Sequence, residues 1–241
     1  MYSNNQRKLI LQLSKKKFRQ DNRLFVAEGK KVVNDLINAG CSFKMLFSTD
    51  ENFHKKAEII KEQEMKKITH FSSPSPVLAV FELPVEKEII AEPTTIAVDG
   101  INDPGNLGTI IRICDWFGLS ELFCSYDTVD CFNPKVIQAS AGSIIRIKCH
   151  YLKDLAGSLI SLEKPIFGTT TKGESIYSTK LIEKASYVFG SEARGISEPL
   201  LSELNGEIAI PSFSNNITQP ESLNVASAAA IFLSELKKNN N

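Results

Sequence analysis

The sequence has few of the residues that metal sites and disulfide frameworks require. Its 241 residues include only 3 histidines and 5 cysteines, and no Cys-x-x-C spacing occurs. An odd number of irregularly spaced cysteines is typical of reduced thiols in a cytosolic protein. We therefore expect a cytoplasmic protein that binds no metal.

The chain also lacks long hydrophobic runs and several common catalytic motifs. No apolar stretch approaches the roughly 20 residues that span a bilayer, and Met1 to Arg7 contains no apolar signal core. Neither Gly-x-Ser-x-Gly, nor Gly-x-Gly-x-x-Gly, nor a P-loop occurs. These absences argue against a membrane protein, a serine hydrolase and a dinucleotide-dependent oxidoreductase.

Charge is balanced over the whole chain but unevenly distributed along it. The 28 Lys/Arg and 28 Asp/Glu residues cancel, yet residues 1–67 hold 15 basic against 8 acidic side chains. The other residues hold 13 basic against 20 acidic side chains. A basic front end favours a polyanion as its partner, although a solvated, lysine-rich helical surface explains the same excess.

Apolar periodicity indicates an α/β unit in the first third of the chain. We expect strands at 24–27, 43–48 and within 77–82, helices at 8–17, 30–39 and 55–66, and a polar turn at 18–23. Pro84 and Pro93 bracket a charged stretch, which indicates a linker. The predicted organisation is a domain at 1–83, a linker at 84–93 and a second domain at 94–241.

The second region again alternates strands and helices. Strands are expected at 95–98, 121–124, 165–169, 187–189 and 208–210, and helices at 106–117, 134–141, 199–204 and 222–238. This alternation predicts a mostly parallel sheet covered by helices on both faces. Such sheets bind ligands at the carboxyl ends of their strands, so the loops there are the candidate site.

The loop after the strand at 95–98 leads into a helix with an unusually placed cation. Pro104 and Gly105 set the turn, and Asn106 is the expected N-cap. Arg112 lies further along this otherwise apolar helix, where a guanidinium needs an anionic or hydrogen-bonding partner. Arg112 is therefore a candidate for phosphate or ribose contact, or for proton handling.

A second loop, after the strand at 187–189, sets Glu192 and Arg194 between Gly190 and Gly195. A structural ion pair explains the two charges. The glycines would also let a ligand approach the backbone closely.

The third loop leads into the last helix. Ser222 is the expected N-cap of this helix. Asn224 is then harder to explain, because asparagine is unfavourable inside a helix unless its amide has a use.

Together, these three segments resemble the signature motifs of the SpoU/TrmH family of RNA ribose 2′-O-methyltransferases, in the SPOUT superfamily. The first two motifs, Asn-x-Gly-x-x-x-Arg and Gly-x-Glu-x-x-Gly, are matched by Asn106, Gly108 and Arg112, and by Gly190, Glu192 and Gly195. The third is matched by Ile210-Pro211 and Ser222-Leu223-Asn224-Val225. The N-terminal region resembles the family's substrate-binding domain at Lys17-Phe18-Arg19 and Phe25-Val26-Ala27-Glu28-Gly29, so the resemblance covers nearly the whole chain.

The resemblance implies a C-terminal α/β domain tied in a deep trefoil knot, beside a smaller N-terminal α/β RNA-binding domain. It implies S-adenosyl-L-methionine as cofactor. It also implies a homodimer through the C-terminal domain, with the site completed across the interface. The expected cofactor-binding residues are Thr169, Thr170, Gly190, Ser191, Ile210 and Leu223.

The resemblance also assigns roles to side chains. Arg112 is the family's proposed activator of the ribose 2′-hydroxyl, and Asn106, Glu192, Ser222 and Asn224 would orient Arg112, the cofactor and the RNA. Electrostatic stabilisation of the alkoxide and true base catalysis are both open for Arg112. The expected RNA contacts are Lys15, Lys16, Lys17, Arg19, Arg23, Lys30 and Arg194.

The expected function is methyl transfer from S-adenosyl-L-methionine to a ribose 2′-hydroxyl of RNA. Ribosomal RNA is favoured because the smallest tRNA-modifying relatives lack a separate N-terminal domain. A tRNA 2′-O-methyltransferase and a non-catalytic RNA-binding ribosome assembly factor are the alternatives. Substrate choice is affected by three departures from the common pattern, which are a long loop before Ser222, Ser212 in place of methionine and Gln138 in place of arginine.

Overall fold

The computed structural model describes residues 2–85, 89–90, 92–214 and 221–238. Backbone contacts separate the chain into two compact units, Met1–Lys87 with Asp130–Ile145, and Glu88–Val129 with Arg146–Asn241. The first unit thus includes a segment that we expected in the C-terminal domain, while the domain boundaries at 83 and 94 stay a prediction. Positions 86–88 and 91 of the predicted linker, and 215–220 of the third loop, lie outside the described residues.

The first unit is built on a four-stranded sheet in the order β1-β4-β2-β3. Both β1 and β2 run antiparallel to β4, and β3 runs parallel to β2. The strands are β1 (Leu24–Glu28), β2 (Phe43–Ser48), β3 (Glu58–Ile59) and β4 (Val77–Glu82). The helices of this unit are α1 (Asn4–Gln12), α2 (Lys16–Asn22), α3 (Lys30–Asn38), α4 (Glu62–Met65) and α6 (Pro134–Ser140).

Side chains on the two faces of this sheet explain why Asp130–Ile145 belongs to the first unit. On one face, Ile10 of α1 and Met65 of α4 are buried in a cluster with strand residues. Elsewhere in the unit, the ring of Phe25 stacks on Phe81 at 5.6 Å and lies 5.0 Å from the ring of Phe132, just before α6. The aromatic contact therefore holds the segment against β1.

Three predictions in this unit were wrong. The helix predicted at 8–17 is interrupted at 13–15, between α1 and α2. The chain does not turn at 18–23 but forms α2, which ends at Arg23 in a left-handed conformation (φ 55°). The helix predicted at 55–66 is replaced by β3 and the short α4, because the chain there pairs with β2 and continues into a hydrogen bond from the Ile60 amide to the Ser48 carbonyl (2.9 Å). At β3, pairing with a distant strand overrides the local helical pattern.

The second unit has six parallel strands in the order β10-β8-β9-β5-β6-β7. Its strands are β5 (Thr94–Asp99), β6 (Glu121–Ser125), β7 (Lys148–Leu152), β8 (Ile166–Ser175), β9 (Ala185–Gly190) and β10 (Gly206–Ala209). Its helices are α5 (Pro104–Trp116), α7 (Leu155–Ile160), α8 (Glu198–Leu201) and α9 (Val225–Lys238). Neither β7 nor α7 was predicted.

Helices cover both faces of this sheet. Val188 of β9 packs in a buried cluster with Leu159 of α7 and Leu200 of α8. Its neighbours Tyr187 and Phe189 point to the opposite face, where their rings contact Phe232 of α9 at 5.0 and 5.7 Å. The prediction of a parallel sheet covered on both faces is confirmed. None of the helices in the described residues is long and apolar enough to cross a membrane.

The pairing of β8 with β10 is interrupted where the candidate site begins. Glu207 lies opposite Gly168, but the next residue, Ile208, lies opposite Glu174. The residues of β8 in between, 169–173, therefore leave the ladder with β10. A Cβ at Gly173 would collide with the backbone of Glu207, so glycine allows the two chains to pass this closely.

Candidate active site

The carboxyl ends of four adjacent strands create the candidate site. Because β10, β8, β9 and β5 are neighbours and all parallel, their carboxyl ends lie at the same edge of the sheet. The three motif loops follow β5, β9 and β10. The prediction that strand-end loops converge on one crevice is confirmed.

Side chains from all three motifs meet at Glu192. Its Oε1 accepts hydrogen bonds from Asn106 Nδ2 (3.2 Å), Asn224 Nδ2 (2.9 Å) and the Val225 amide (3.2 Å). Asn224 Nδ2 also donates to Asn106 Oδ1 at 2.8 Å. These residues are up to 118 positions apart in the chain, yet they form one connected polar network.

The loop that carries Glu192 is a tight turn. The backbones of Ser191 and Gly195 exchange two hydrogen bonds, at 3.1 and 2.8 Å, so Glu192 projects near the tip. A Cβ at Gly190 would collide with the backbone of Gly195, which explains the glycine before the turn. The predicted site residue is therefore held by backbone geometry as well as by its own hydrogen bonds.

The helix caps differ from those predicted. Asp103, rather than Asn106, caps α5 and accepts the Asn106 amide at 2.8 Å. Asn224, rather than Ser222, caps α9, because its Oδ1 accepts the amides of Ala226 and Ser227 at 3.1 and 3.2 Å. Both polar atoms of the Asn224 amide are therefore hydrogen-bonded, Oδ1 in the cap and Nδ2 in the network. Ser222 is not the capping residue.

A cavity of about 760 Å³ lies beside Glu192, within the range of small-molecule sites. All six residues predicted to bind the cofactor line it, together with Glu192 and Ser222. The six are Thr169, Thr170, Gly190, Ser191, Ile210 and Leu223. The structure therefore brings this predicted set together, while its role in holding a cofactor stays a prediction.

Arg112 is not part of the network at Glu192. It is exposed on α5, and six residues along a helix place it about 9 Å further along the axis than Asn106. Among the residues that the structure describes, its guanidinium forms no hydrogen bond or ion pair with Asn106, Glu192, Ser222 or Asn224. The predicted orientation of Arg112 by those side chains is therefore absent from the single chain.

The predicted RNA contacts of the first unit differ in how exposed their side chains are. Lys15 and Lys17 are exposed, Arg23 is exposed with one donor on the Pro84 carbonyl (3.0 Å), and Lys30 pairs with Asp50 at 2.6 Å. Lys16 is half-buried.

The prediction is wrong for Arg19. The residue as a whole is only 1% exposed. Its guanidinium donates to the Leu13 and Ser14 carbonyls and to Asp130 Oδ2, and all of these partners belong to the first unit. Arg19 holds the segment at 130–145 in place and is unavailable to RNA.

Arg194, another predicted RNA contact, pairs with an acid that the sequence analysis missed. Its Nη2 lies 2.6 Å from Asp127 Oδ2, just after β6. Hydrogen bonds from Ser125 and Arg194 lower the pKa of the Asp127 carboxyl, and the same ion pair raises the pKa of Arg194. Ser125 Oγ also accepts the Gly100 amide at 2.8 Å. The ends of β5, β6 and β9 are thereby linked.

Comparisons with known proteins agree with this geometry. Residues 93–234 match the model of the SpoU rRNA Methylase family, and residues 4–79 match the MRM3-like substrate binding domain. The chain belongs to the SpoU rRNA methylase family. The resemblance inferred from the three motifs is thus confirmed, and with it the SPOUT fold, whose chain forms a trefoil knot.

Relatives extend over nearly the full length. A 23S rRNA (guanosine(2553)-2′-O)-methyltransferase from Bacillus subtilis is 28% identical over 93% of both chains. A TrmH-family structure from Porphyromonas gingivalis is 35% identical, with a TM-score of 0.84 over 98% of both chains. An AdoMet-bound rRNA methyltransferase from Sinorhizobium meliloti is 27% identical, with a TM-score of 0.80 over 99% of this chain and 96% of that one.

The prediction of an S-adenosylmethionine-dependent methyltransferase is therefore confirmed. The cavity fits this cofactor, which carries a sulfonium and an ammonium cation beside an apolar adenine face. Glu192 offers negative charge, Thr170 and Ser191 offer hydroxyls, and Ile196 and Leu223 offer apolar surface. Within the part of the chain that the structure describes, no group of three or more acidic, histidine or cysteine side chains could hold a metal.

Proposed function

We propose that this protein methylates a ribose 2′-hydroxyl of ribosomal RNA in the cytoplasm. The observation that carries the proposal is the convergence of Asn106, Glu192 and Asn224 beside the cavity. A family match over 93–234 supports methyl transfer. Relatives named as 23S rRNA 2′-O-methyltransferases support ribosomal RNA as the substrate.

The residues at the cavity explain how the reaction is arranged. Bound S-adenosyl-L-methionine supplies a methyl group on a positively charged sulfur. Such a transfer needs an aligned hydroxyl more than covalent or metal assistance, so positioning supplies much of the rate. Glu192 Oε1 is saturated by three donors, whereas Oε2 has no hydrogen bond among the described residues. We assign Oε2 to a donor of the incoming ribose.

Arg112 acts on the 2′-hydroxyl after a second chain has joined. Its exposed position on α5, away from Glu192, supports a homodimer in which each site is completed across the interface. Trp116 lies one helical turn further along the same exposed face and is 85% exposed. Tryptophan is among the residue types enriched at the centre of protein interfaces. The guanidinium then stabilises the forming alkoxide, or the neutral guanidine form of Arg112 accepts the proton of the 2′-hydroxyl.

The N-terminal domain, residues 1–83, is assigned to RNA binding, and residues 94–241 to methyl transfer. The match to a substrate binding domain at 4–79 supports this division. Lys15 and Lys17 supply exposed positive charge at the start of α2. Phosphate contacts of this kind hold RNA without reading its sequence.

The test is to map 2′-O-methyl groups in RNA from a deletion strain by reverse-transcription stops at low nucleotide concentration. One 23S rRNA position should lose its methyl group and regain it when the wild-type gene is restored. Loss of a tRNA methyl group instead would identify a tRNA enzyme. An unchanged methylation pattern, together with calorimetry showing no S-adenosylmethionine binding, would identify a non-catalytic RNA-binding factor.

A further inference from the structure

Two exposed aromatic side chains lie at the solvent edge of the cavity. Tyr177 is 53% exposed and Phe213 is 81% exposed, and both line the cavity. Their ring centroids are 6.2 Å apart, with the ring planes tilted by 37°. Tyr177 follows the end of β8 and Phe213 follows the end of β10, which are adjacent strands. The sheet therefore brings two rings from separate loops to one place.

The position of Tyr177 is fixed by a hydrogen-bonded turn. The amides of Ser178 and Thr179 both donate to the Ser175 carbonyl at 3.0 Å, and Thr179 Oγ1 donates to the same oxygen at 2.8 Å. Single exposed apolar side chains are normal on protein surfaces. Two rings held side by side at the edge of a ligand cavity form an apolar surface on which a flat ligand can stack, which a single exposed side chain does not.

The rings are placed to meet the RNA rather than the cofactor. The inner wall of the cavity is formed by buried side chains such as Phe189, Ile208 and Phe232. The cofactor would fit in that interior, whereas the two rings at the outer edge are exposed to solvent. The hydrogen bond between Asn224 and Asn106, beside Glu192, is exposed as well. The motif network and the two rings therefore both face the solvent from which the second substrate arrives.

We propose that Tyr177 and Phe213 form a stacking site for the nucleobase of the target nucleotide. This inference rests on the proposed function, because it names the part of the RNA that this site receives. RNA-binding proteins commonly splay out an unpaired base and stack it on aromatic side chains. Stacking would fix the attached ribose and direct its 2′-hydroxyl toward Glu192 and the methyl donor. Every base has a π face, so the platform would position the target without selecting its identity.

The test compares substitutions at Phe213 in the full-length protein. The assay measures transfer of labelled methyl groups to unmodified 23S rRNA made by transcription in vitro. Phe213→Ala and Phe213→Leu should each raise the KM for RNA about tenfold, because a stacked base contributes on the order of 1.4 kcal/mol and each 1.4 kcal/mol is tenfold in affinity. Phe213→Tyr should stay within about twofold of wild type. Tyr177→Ala should behave like Phe213→Ala, and Tyr177→Phe like wild type.

Two controls show that the effect is local. Calorimetry should give the same affinity for S-adenosyl-L-methionine in Phe213→Ala as in wild type. Ile160→Ala removes another exposed apolar side chain, which is 48% exposed on α7 and does not line the cavity. This variant should leave the KM for RNA unchanged.

Three outcomes would overturn the inference. Weakened cofactor binding with an unchanged KM for RNA would mean that the rings cover the cofactor's adenine. A Phe213→Leu protein with wild-type KM would mean that apolar area, not stacking, is needed. A loss of dimer mass in Phe213→Ala would assign the rings to an interface between two copies.

Failure of the proposed function is separately visible. If the wild-type protein methylates neither the transcript nor ribosomal subunits, the proposed function fails. The stacking site is then decided by the fluorescence of 2-aminopurine in a short single-stranded RNA. Quenching by the wild-type protein that is lost in Phe213→Ala would support the site, and equal or absent quenching by both proteins would reject it.

Discussion

Glu192 is the residue at which the three motifs depend on one another. One carboxylate oxygen receives two side-chain amides and one backbone amide from the start of α9. Hydrogen bonds to a charged group contribute about 1.5–3 kcal/mol each, and an unpaired donor left behind adds a cost. The same carboxylate therefore orders the site and supplies the negative charge beside the cavity.

Arg112 is expected to matter for activity but not for folding. Because its side chain is exposed and has no hydrogen bond or ion pair among the described residues of the single chain, Arg112→Ala should change the free energy of unfolding by less than about 0.5 kcal/mol. Methyl transfer should fall by about 100-fold or more, since electrostatic stabilisation of a developing oxyanion has effects of this size. Denaturant unfolding and single-turnover methylation test the two effects. An unfolded variant would show that Arg112 is structural.

Arg194 and Asp127 test whether the Glu192 loop is positioned by an ion pair. Their side chains are 65% and 53% exposed, so Asp127→Ala should cost less than about 1 kcal/mol of stability. If the pair positions the loop, Asp127→Ala and Arg194→Ala should lower kcat to a similar extent. The double exchange Asp127→Arg/Arg194→Asp should restore part of it. If Arg194 instead contacts RNA, only Arg194→Ala should raise the KM for RNA, and Asp127→Ala should not.

At the scale of elements, the start of α9 combines a helix cap with the active-site network. Asn224 caps the helix through Oδ1 and donates to Glu192 and Asn106 through Nδ2. Serine is as good a cap as asparagine but has no amide to donate. Asn224→Ser should keep the cap but lose the hydrogen bonds to Glu192 and Asn106, so methyl transfer should fall about tenfold or more. Asn224→Ala loses the cap as well, so it should unfold at a lower temperature and be about 1 kcal/mol less stable than Asn224→Ser.

Equal melting temperatures for the two Asn224 variants would contradict this separation of roles. Full activity of Asn224→Ser would show that the cap alone matters. Thermal unfolding, measured with and without the bound cofactor, gives the stability of each variant. Transfer of labelled methyl groups to rRNA gives its activity.

The sequence predicted best those elements whose apolar pattern is strong. Strand β2 was predicted with its observed bounds, and β4 fills the range within which a strand was predicted, because the buried residues of each form a continuous run. In contrast, β7 was missed. All five of its residues are half-buried, so buried and exposed positions do not alternate along it. The helix predicted at 55–66 failed because pairing with β2 recruits Glu58–Ile59.

The candidate site shows the same division. Motif spacing identified Asn106, Glu192 and Asn224, and the structure joins them. Asp127 was missed because nothing near it in the sequence marks it, and only the tertiary approach of Arg194 reveals its role. Arg19 was misassigned because its neighbours in the sequence are lysines, which suggest an exposed basic surface. Its side chain is in fact buried against Asp130.

At the scale of the whole chain, Arg19 and Asp130 connect segments that lie 111 positions apart within the first unit. The two side chains are only 2% and 12% exposed. Asp130→Ala would leave a buried guanidinium without its carboxylate, which should lower the free energy of unfolding by about 3–5 kcal/mol. Urea denaturation measures the change. Asp50→Ala is the matched control, because it breaks the exposed Lys30–Asp50 pair and should cost less than about 1 kcal/mol.

A loss of less than about 1 kcal/mol in Asp130→Ala would show that water or backbone groups replace the carboxylate.

A loss of the expected size, about 3–5 kcal/mol, would have a practical consequence for deletion studies. Removing residues 1–83 also removes Arg19 and β1, which hold Asp130–Ile145. RNA binding is then tested more cleanly by Lys15→Ala and Lys17→Ala, which leave this packing intact.

The proposed homodimer has a natural reporter in Trp116, the single tryptophan of the chain. It is 85% exposed in one chain, so a monomer should emit at the long wavelength of a hydrated indole. If α5 lies in the interface, concentrated protein should emit at a shorter wavelength and shift to longer wavelength on dilution, in step with a fall in mass by light scattering. Trp116→Glu should weaken dimerisation by about 30-fold or more, because buried tryptophans at interfaces contribute about 2 kcal/mol or more. A dimer whose tryptophan emission stays that of hydrated indole would place the interface elsewhere, and Arg112 would then have to reach the site of its own chain.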